Sequence, residues 1–236
     1  MKALTGSVIF LISVIVIACH TAYKATDFSV KDVNVVTENW PANTKEASNL
    51  LISKFGVPDE VTSSTLVWKD RGVWKKTVLM RDGIPHDFPM PHTDYLMQTI
   101  NYKVPVEKYD DLAQYDGSVI VDRTKGTLSA RCDKEEMNFL ALNLAHDIIT
   151  GRKTVDEARD NYANTAMRFK EGRTDTTRLD TRTDPGRTDT TRTDPSRTDT
   201  TRTDRREGSI DRYLQGLQFS VPQGETGDRD VPAKMK

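Results

Sequence analysis

Between residues 86 and 94 the chain reads HDFPMPHTD, nine positions that hold two histidines, two aspartates and two prolines. Imidazole nitrogens and carboxylate oxygens are ligand types suited to zinc or iron. His92 and Asp94 are two positions apart, so in extended backbone their side chains share a face and can chelate one ion. His86 and Asp87 complete a His/carboxylate set, and the chemistry of such a set is metal-assisted hydrolysis. The prolines work against it. Pro89 and Pro91 favour an extended path of about 3.1 Å per residue, which holds His86 and His92 about 19 Å apart unless the loop turns back sharply. No recognised metal-ligand spacing such as HExxH occurs. The expectation is therefore a Pro-rich connection between strands, with Asp87 or Asp94 accepting backbone or histidine N–H bonds, and the metal set is the alternative.

Cys132 lies just before a helix start, where a thiol gains nucleophilicity, yet Asp133, Glu135 and Glu136 crowd it and disfavour the thiolate. Packing on Met137 as a hydrophobic staple fits it better. His146-Asp147 is similar to the HD pair of metal phosphohydrolases, which need further histidines and an aspartate on other helices. Its position opposite the apolar stripe points to a solvent-facing or second-layer histidine. Trp40, Trp68 and Trp74 suit core packing more than a ligand groove. With no GxSxG, no glycine-rich phosphate loop and no CxxC, no catalytic residue and no cofactor is expected.

The elements that position these residues lie between 40 and 170, the span with sustained apolar periodicity. TKEASNLLISKFG (44–56) reads as a helix closed by Gly56 and Pro58. LVW (66–68) and VWKKTVLM (73–80) read as a hairpin, and a third strand begins near Leu96, at an edge or ending by Pro105. A short helix is expected around 107–115, then a hairpin of SVIVD and TLSARC about RTKG. Asp133 with Glu136, and Thr154 with Glu157, match capping boxes ahead of two helices with apolar stripes. The fold class is α+β: an antiparallel sheet of about five strands with helices on one face.

The segment before the domain sets its context. Ala3 to Ala18 is nearly uncharged after Lys2 and ends in VIAC at 16–19, as a secretory signal does. VIAC resembles the lipobox of bacterial lipoproteins, which implies cleavage after Ala18 and a lipid on Cys19. Ordinary signal cleavage at the same bond and an uncleaved anchor are the competing readings, although a span needs about 20 apolar residues. Several acyl chains anchor a protein stably without one. Residues 1–18 are thus the signal peptide and 19–39 a tether. His20 in place of an Asp after the lipid site favours the outer membrane over the inner.

With Cys19 acylated, Cys132 is the one remaining cysteine and no intramolecular disulfide is left. The net charge of −1, one lower once Lys2 is removed, gives no steering toward nucleic acid or anionic lipid.

Beyond the domain, 171–207 is low complexity, with Arg-Thr-Asp decamers back to back at 186–205, and reads as a disordered linker. Asp-Thr-Thr at 175–177, 189–191 and 199–201 resembles the O-glycosylation sites of exported Bacteroidota proteins, which implies glycans on Thr176, Thr190 and Thr200. The tail, 208–236, holds Ile210, Tyr213, Leu214 and Leu217 on a stripe suited to a short helix capped by Ser209.

Two resemblances bear on the body. A helix, Gly56-x-Pro58 and Trp-bearing strands over 44–80 resemble small envelope lipoproteins of the β-lactamase-inhibitor-like fold, which implies an inhibitor of a periplasmic enzyme. As a whole the body resembles domains of uncharacterised exported proteins of Bacteroidota, a likeness that carries no known activity. The expected function is a non-enzymatic binding or structural module of the cell envelope, held at a membrane by lipidated Cys19, with an envelope protein as partner and no nucleic acid. The alternative is a metal-dependent hydrolase using His86, Asp87, His92 and Asp94.

Overall fold

Alternating residues along four of the strands point their apolar side chains to one side, and that side carries the helices. The computed structural model describes residues 28–173 and 210–222. Within them the order is α1 (Val30–Thr37), α2 (Ala42–Phe55), β1 (Glu60–Val61), β2 (Thr65–Arg71), β3 (Trp74–His86), β4 (His92–Asn101), α3 (Tyr109–Tyr115), β5 (Val119–Asp122), β6 (Thr127–Cys132), α4 (Glu135–Ile149) and α5 (Val155–Lys170). The strands form one antiparallel sheet in the order β1-β2-β3-β4-β6-β5. The α+β architecture is as the sequence indicates, with the two-residue β1 as a sixth strand.

Register fixes what faces the helices. Leu66 pairs with Leu79 and Leu79 with Leu96, while Ile100 pairs with Leu128 and Leu96 with Cys132. These side chains are buried, and they divide between two neighbouring clusters. One lies under α1 and α2 around Trp68, and the larger lies under α4 and α5 around Leu140 and Leu144. Trp40, Trp68 and Trp74 are all core residues.

A buried polar contact locks α4 onto the sheet. Asn138 Nδ2 donates to the Leu96 carbonyl at 3.1 Å and to Gln98 Oε1 at 3.0 Å. Trp74 Nε1 donates to Glu135 Oε1 at 2.6 Å.

Several boundaries differ from the sequence expectation. The stretch read as a tether, 19–39, contains α1, capped by a Ser29–Asp32 capping box and buried through Val33. Burial of one apolar stripe is enough to dock so short a helix. The third strand starts at His92 rather than near Leu96, and it lies inside the sheet between β3 and β6. It does end before Pro105. Helix α4 begins one residue later than an Asp133 cap requires: Lys134 is its N-cap and makes no side-chain cap bond. The Thr154–Glu157 capping box of α5 is present.

The tail packs back on the domain. Residues 212–215 form one 3₁₀ turn, and Leu214 is buried against α4. Asn143 anchors it, donating to the carbonyls of Tyr213 (3.3 Å) and Gly216 (2.9 Å) and accepting from Gln218 N–H at 2.7 Å. Phe219 stacks on His146 at 4.1 Å, so of the solvent-facing and second-layer alternatives this half-buried histidine takes the second. Cys19 with the apolar run before it, and Thr176, Thr190 and Thr200 with the repeat around them, lie outside the described residues.

Candidate metal centre

The site is built by an irregularity in one hairpin. Between Lys76 and Leu79, β3 pairs with β4 in a single register; from Ile84 onward the pairing has slipped by three residues. In the first register His92 would oppose Gly83. After the slip His86 is its partner, with Ile84 opposite Asp94. Close packing at the slip requires the glycine. A Cβ on Gly83 would stand 2.4 Å from Thr93 Cγ2 and 3.0 Å from the Asp94 carbonyl oxygen.

The connection from 87 to 91 then reverses direction, contrary to the extended path expected from its prolines. Its tip is held down: Phe88 stacks on Tyr162 of α5 at 5.5 Å, and the Arg159 guanidinium sits 4.0 Å from the Phe88 ring centre. Aromatic and cation–π contacts of this kind contribute about 0.5–1.5 kcal/mol each. The two histidine rings end up with centroids 4.9 Å apart.

Asp94 is the centre of the group. Its carboxylate is 1% exposed. His92 Nε2 lies 3.1 Å from Asp94 Oδ1, and His86 Nδ1 lies 3.3 Å from Asp94 Oδ2. One donor atom from each of His86, His92 and Asp94 falls within 4.8 Å of the other two. Among the described residues, neither His86 Nδ1 nor Asp94 Oδ1 has a hydrogen-bond partner. The atoms are close enough to bond but poorly aligned for it.

The second nitrogen of His92 is hydrogen-bonded, and that of His86 has a longer approach to a carboxylate. His92 Nδ1 donates to the Met90 carbonyl at 2.8 Å, and His86 Nε2 faces Asp116 Oδ1 at 3.7 Å. Metal-bound histidines are oriented in this way, the outer nitrogen on a carbonyl or carboxylate and the inner one toward the ion. Asp116 is itself held by Ser118, whose N–H and hydroxyl both donate to Oδ1 at 2.8 Å.

The surrounding charges are strong. The nearby Asp94 carboxylate, then the Cys132 sulfur, push the His92 pKa up to about 11 against the opposing effect of burial. Burial pushes Asp116 above the ordinary carboxylate range, with the Asp94 charge acting in the same direction. Burial also raises the Cys132 thiol. Arg131 Nε is 3.7 Å from Asp94 Oδ2, a fixed cation at the edge of the group.

Of the residues singled out from the sequence, His86, His92 and Asp94 converge, while Asp87 is exposed at the turn and outside the group. Cys132 is not the staple expected. It lies two residues before the N-cap, and the strand register carries its sulfur to 3.5 Å from His92 Nε2. Asp116 and Arg131 were not foreseen. Nothing near Asp116 in the sequence marks it, but Leu128, Ala130 and Cys132 share one parity, which does mark the cysteine as inward-facing.

A cleft of about 770 Å³ borders the group, lined by Glu46, Leu50, Lys54, His92, Tyr95 and Glu135 among others. A smaller one of about 360 Å³ lies between the 89–91 turn and α5, reached by His92, Cys132 and Tyr162. Compared with family models, curated proteins and solved structures, the chain matches none of them.

Proposed function

We propose that this chain is an exported, lipid-anchored module of the cell envelope whose folded body holds a divalent transition metal at His86, His92 and Asp94. One observation carries the metal reading: three donor atoms of the right chemistry lie within 4.8 Å of one another around a buried carboxylate. Two histidines and one carboxylate suit zinc or iron. Burial makes the Asp94 charge costly, and a bound cation adds to the offset that His86, His92 and Arg131 already supply.

The anchor reading is supported by the sequence alone, through VIAC at 16–19 after its apolar run. Among the described residues no helix is long and apolar enough to cross a membrane. The outer membrane is the preferred location and an envelope protein the preferred partner, by the sequence argument above.

Metal analysis of full-length protein purified without chelator tests the centre. About one zinc or iron per chain is expected, lost in His92→Ala and kept in Asp87→Ala. A metal-free protein whose melting temperature zinc does not move would overturn the metal reading. For the anchor, Cys19→Ser should leave the membrane fraction, and unchanged partitioning would refute it.

The cleft beside His92 favours a second reading, metal-assisted hydrolysis of a ligand bound there. That reading requires one coordination position open to water. Hydrolytic turnover abolished by chelator and restored by metal would establish it.

A further inference from the structure

Three ligands leave one corner of a tetrahedron, and what fills that corner decides between the two readings. In a tetrahedral zinc site, bond lengths of about 2.0–2.2 Å to nitrogen or oxygen and about 2.3 Å to sulfur place ligand atoms about 3.3–3.6 Å apart. The separations His92 Nε2 to Asp94 Oδ1 (3.1 Å) and His86 Nδ1 to Asp94 Oδ2 (3.3 Å) are close to this spacing. Cys132 Sγ meets this spacing to one donor, 3.5 Å from His92 Nε2, and stands outside the 4.8 Å group of the other three, so it must swing inward as the ion binds.

Its placement follows from the sheet. Cys132 is the cross-strand partner of Leu96, and Asp94 is two residues along β4 on the same face, so Cys132 and Asp94 are diagonal neighbours. The sulfur is buried at 4% exposure and in no disulfide. Its other polar neighbours are Asp133 Oδ1 at 3.5 Å and the Tyr162 hydroxyl at 3.9 Å. Charge balance agrees. A divalent ion with Asp94 alone carries a net positive charge in a buried site beside Arg131, and a thiolate cancels it.

We propose that the Cys132 thiolate is the fourth ligand, closing the centre as a tetrahedral His₂-Asp-Cys zinc site. As the ion binds, the sulfur–hydrogen bond breaks and its electron pair stays on sulfur to form the zinc–sulfur bond, His92 gives up its Nε2 proton so that the nitrogen lone pair can bind zinc, and both protons pass to solvent. No oxidation change occurs. A closed site has no position for a reactive water, so its work is structural: it ties the β3–β4 hairpin to the end of β6 and shapes the adjoining clefts for a binding partner. This inference rests on the metal reading of the preceding subsection.

Cobalt(II) loading of full-length Cys19→Ser protein in detergent tests it, because Cys132 is then the sole thiol. The expected spectrum has intense visible bands of tetrahedral cobalt and a near-ultraviolet sulfur-to-cobalt charge-transfer band. Bound cobalt with weak octahedral bands and no charge-transfer band would overturn thiolate ligation while leaving the three-ligand centre standing. Failure to bind cobalt or zinc at all would overturn both. Cys132→Ser in the same background should abolish the charge-transfer band and weaken zinc binding at least about 10–100-fold. The spectrum of the unsubstituted thiol decides the matter even if that variant does not fold.

Discussion

His86 and His92, six positions apart along a chain that contains two prolines between them, are cross-strand partners with ring centroids 4.9 Å apart. The relationship exists because β3 carries three more residues than β4 needs between Leu79 and Ile84.

Gly83 is the tightest point of the slip. Gly83→Ala places a methyl against the Asp94 carbonyl and the Thr93 side chain. Overpacking of this kind costs about 1–3 kcal/mol. The expected result is a lowered melting temperature and a metal affinity reduced by about tenfold or more, with the far-ultraviolet circular dichroism of the sheet retained. Unchanged metal affinity would show that the slip does not hold the ligands.

Asn138 has no exposure and bonds both the Leu96 carbonyl and Gln98. Asn138→Leu leaves those two buried acceptors without their donor, a loss of about 1–3 kcal/mol. Urea denaturation should show a lower midpoint with an unchanged slope. A stability equal to that of the parent would mean that apolar packing of α4 replaces the contact in full.

Asn143 makes three hydrogen bonds to the backbone of the tail. Asn143→Ala should release the 210–222 segment while the domain stays folded. Trypsin then cleaves after Arg212 several-fold faster, and Asp211 loses its 2.6 Å ion pair with Arg168. Cleavage at the parental rate would place the docking energy in Leu214 and Phe219 instead.

Docking of the tail should weaken in mild acid. His146 Nδ1 is hydrogen-bonded with the Tyr102 hydroxyl at 2.7 Å and the ring stacks on Phe219, and burial, then the Arg152 charge, lowers its pKa below the ordinary value of about 6.5. A histidine with a lowered native pKa binds fewer protons in the docked state than in the released one. Stability is therefore complete above pH 6.5 and is lost as pH falls from there through the lowered value. Tail cleavage rates from pH 7.5 to 5, each divided by the rate of the same protease on an unstructured peptide, should rise on acidification in the parent and be flat in His146→Phe. A flat profile in the parent would remove His146 as the cause.

Much of the scaffold was legible because it obeys local rules. The 3.6-residue stripes of α4 and α5, the Thr154–Glu157 box and the alternation of β5 and β6 each depend on neighbours within a few residues. Strand β4 was read short for a reason of the same kind. Its inward positions at 92 and 94 are His and Asp, so the apolar alternation that marks a strand begins only at Leu96. Helix α1 gives only a faint signal, because its inward face is two valines, Val33 and Val36, with a threonine, Thr37.

The site divides along the same line. Local patterning was enough for the candidate donor types, the shared face of His92 and Asp94 and the inward parity of Cys132. Only the tertiary structure decided that His86 joins them, that Asp87 does not, and that Asp116, Arg131 and Cys132 surround them. Residue types and parity are properties of a few adjacent positions. Convergence was set by a register slip, by Phe88 seated on α5, and by the pairing of Leu96 with Cys132, and each is a contact between segments that the chain order keeps apart.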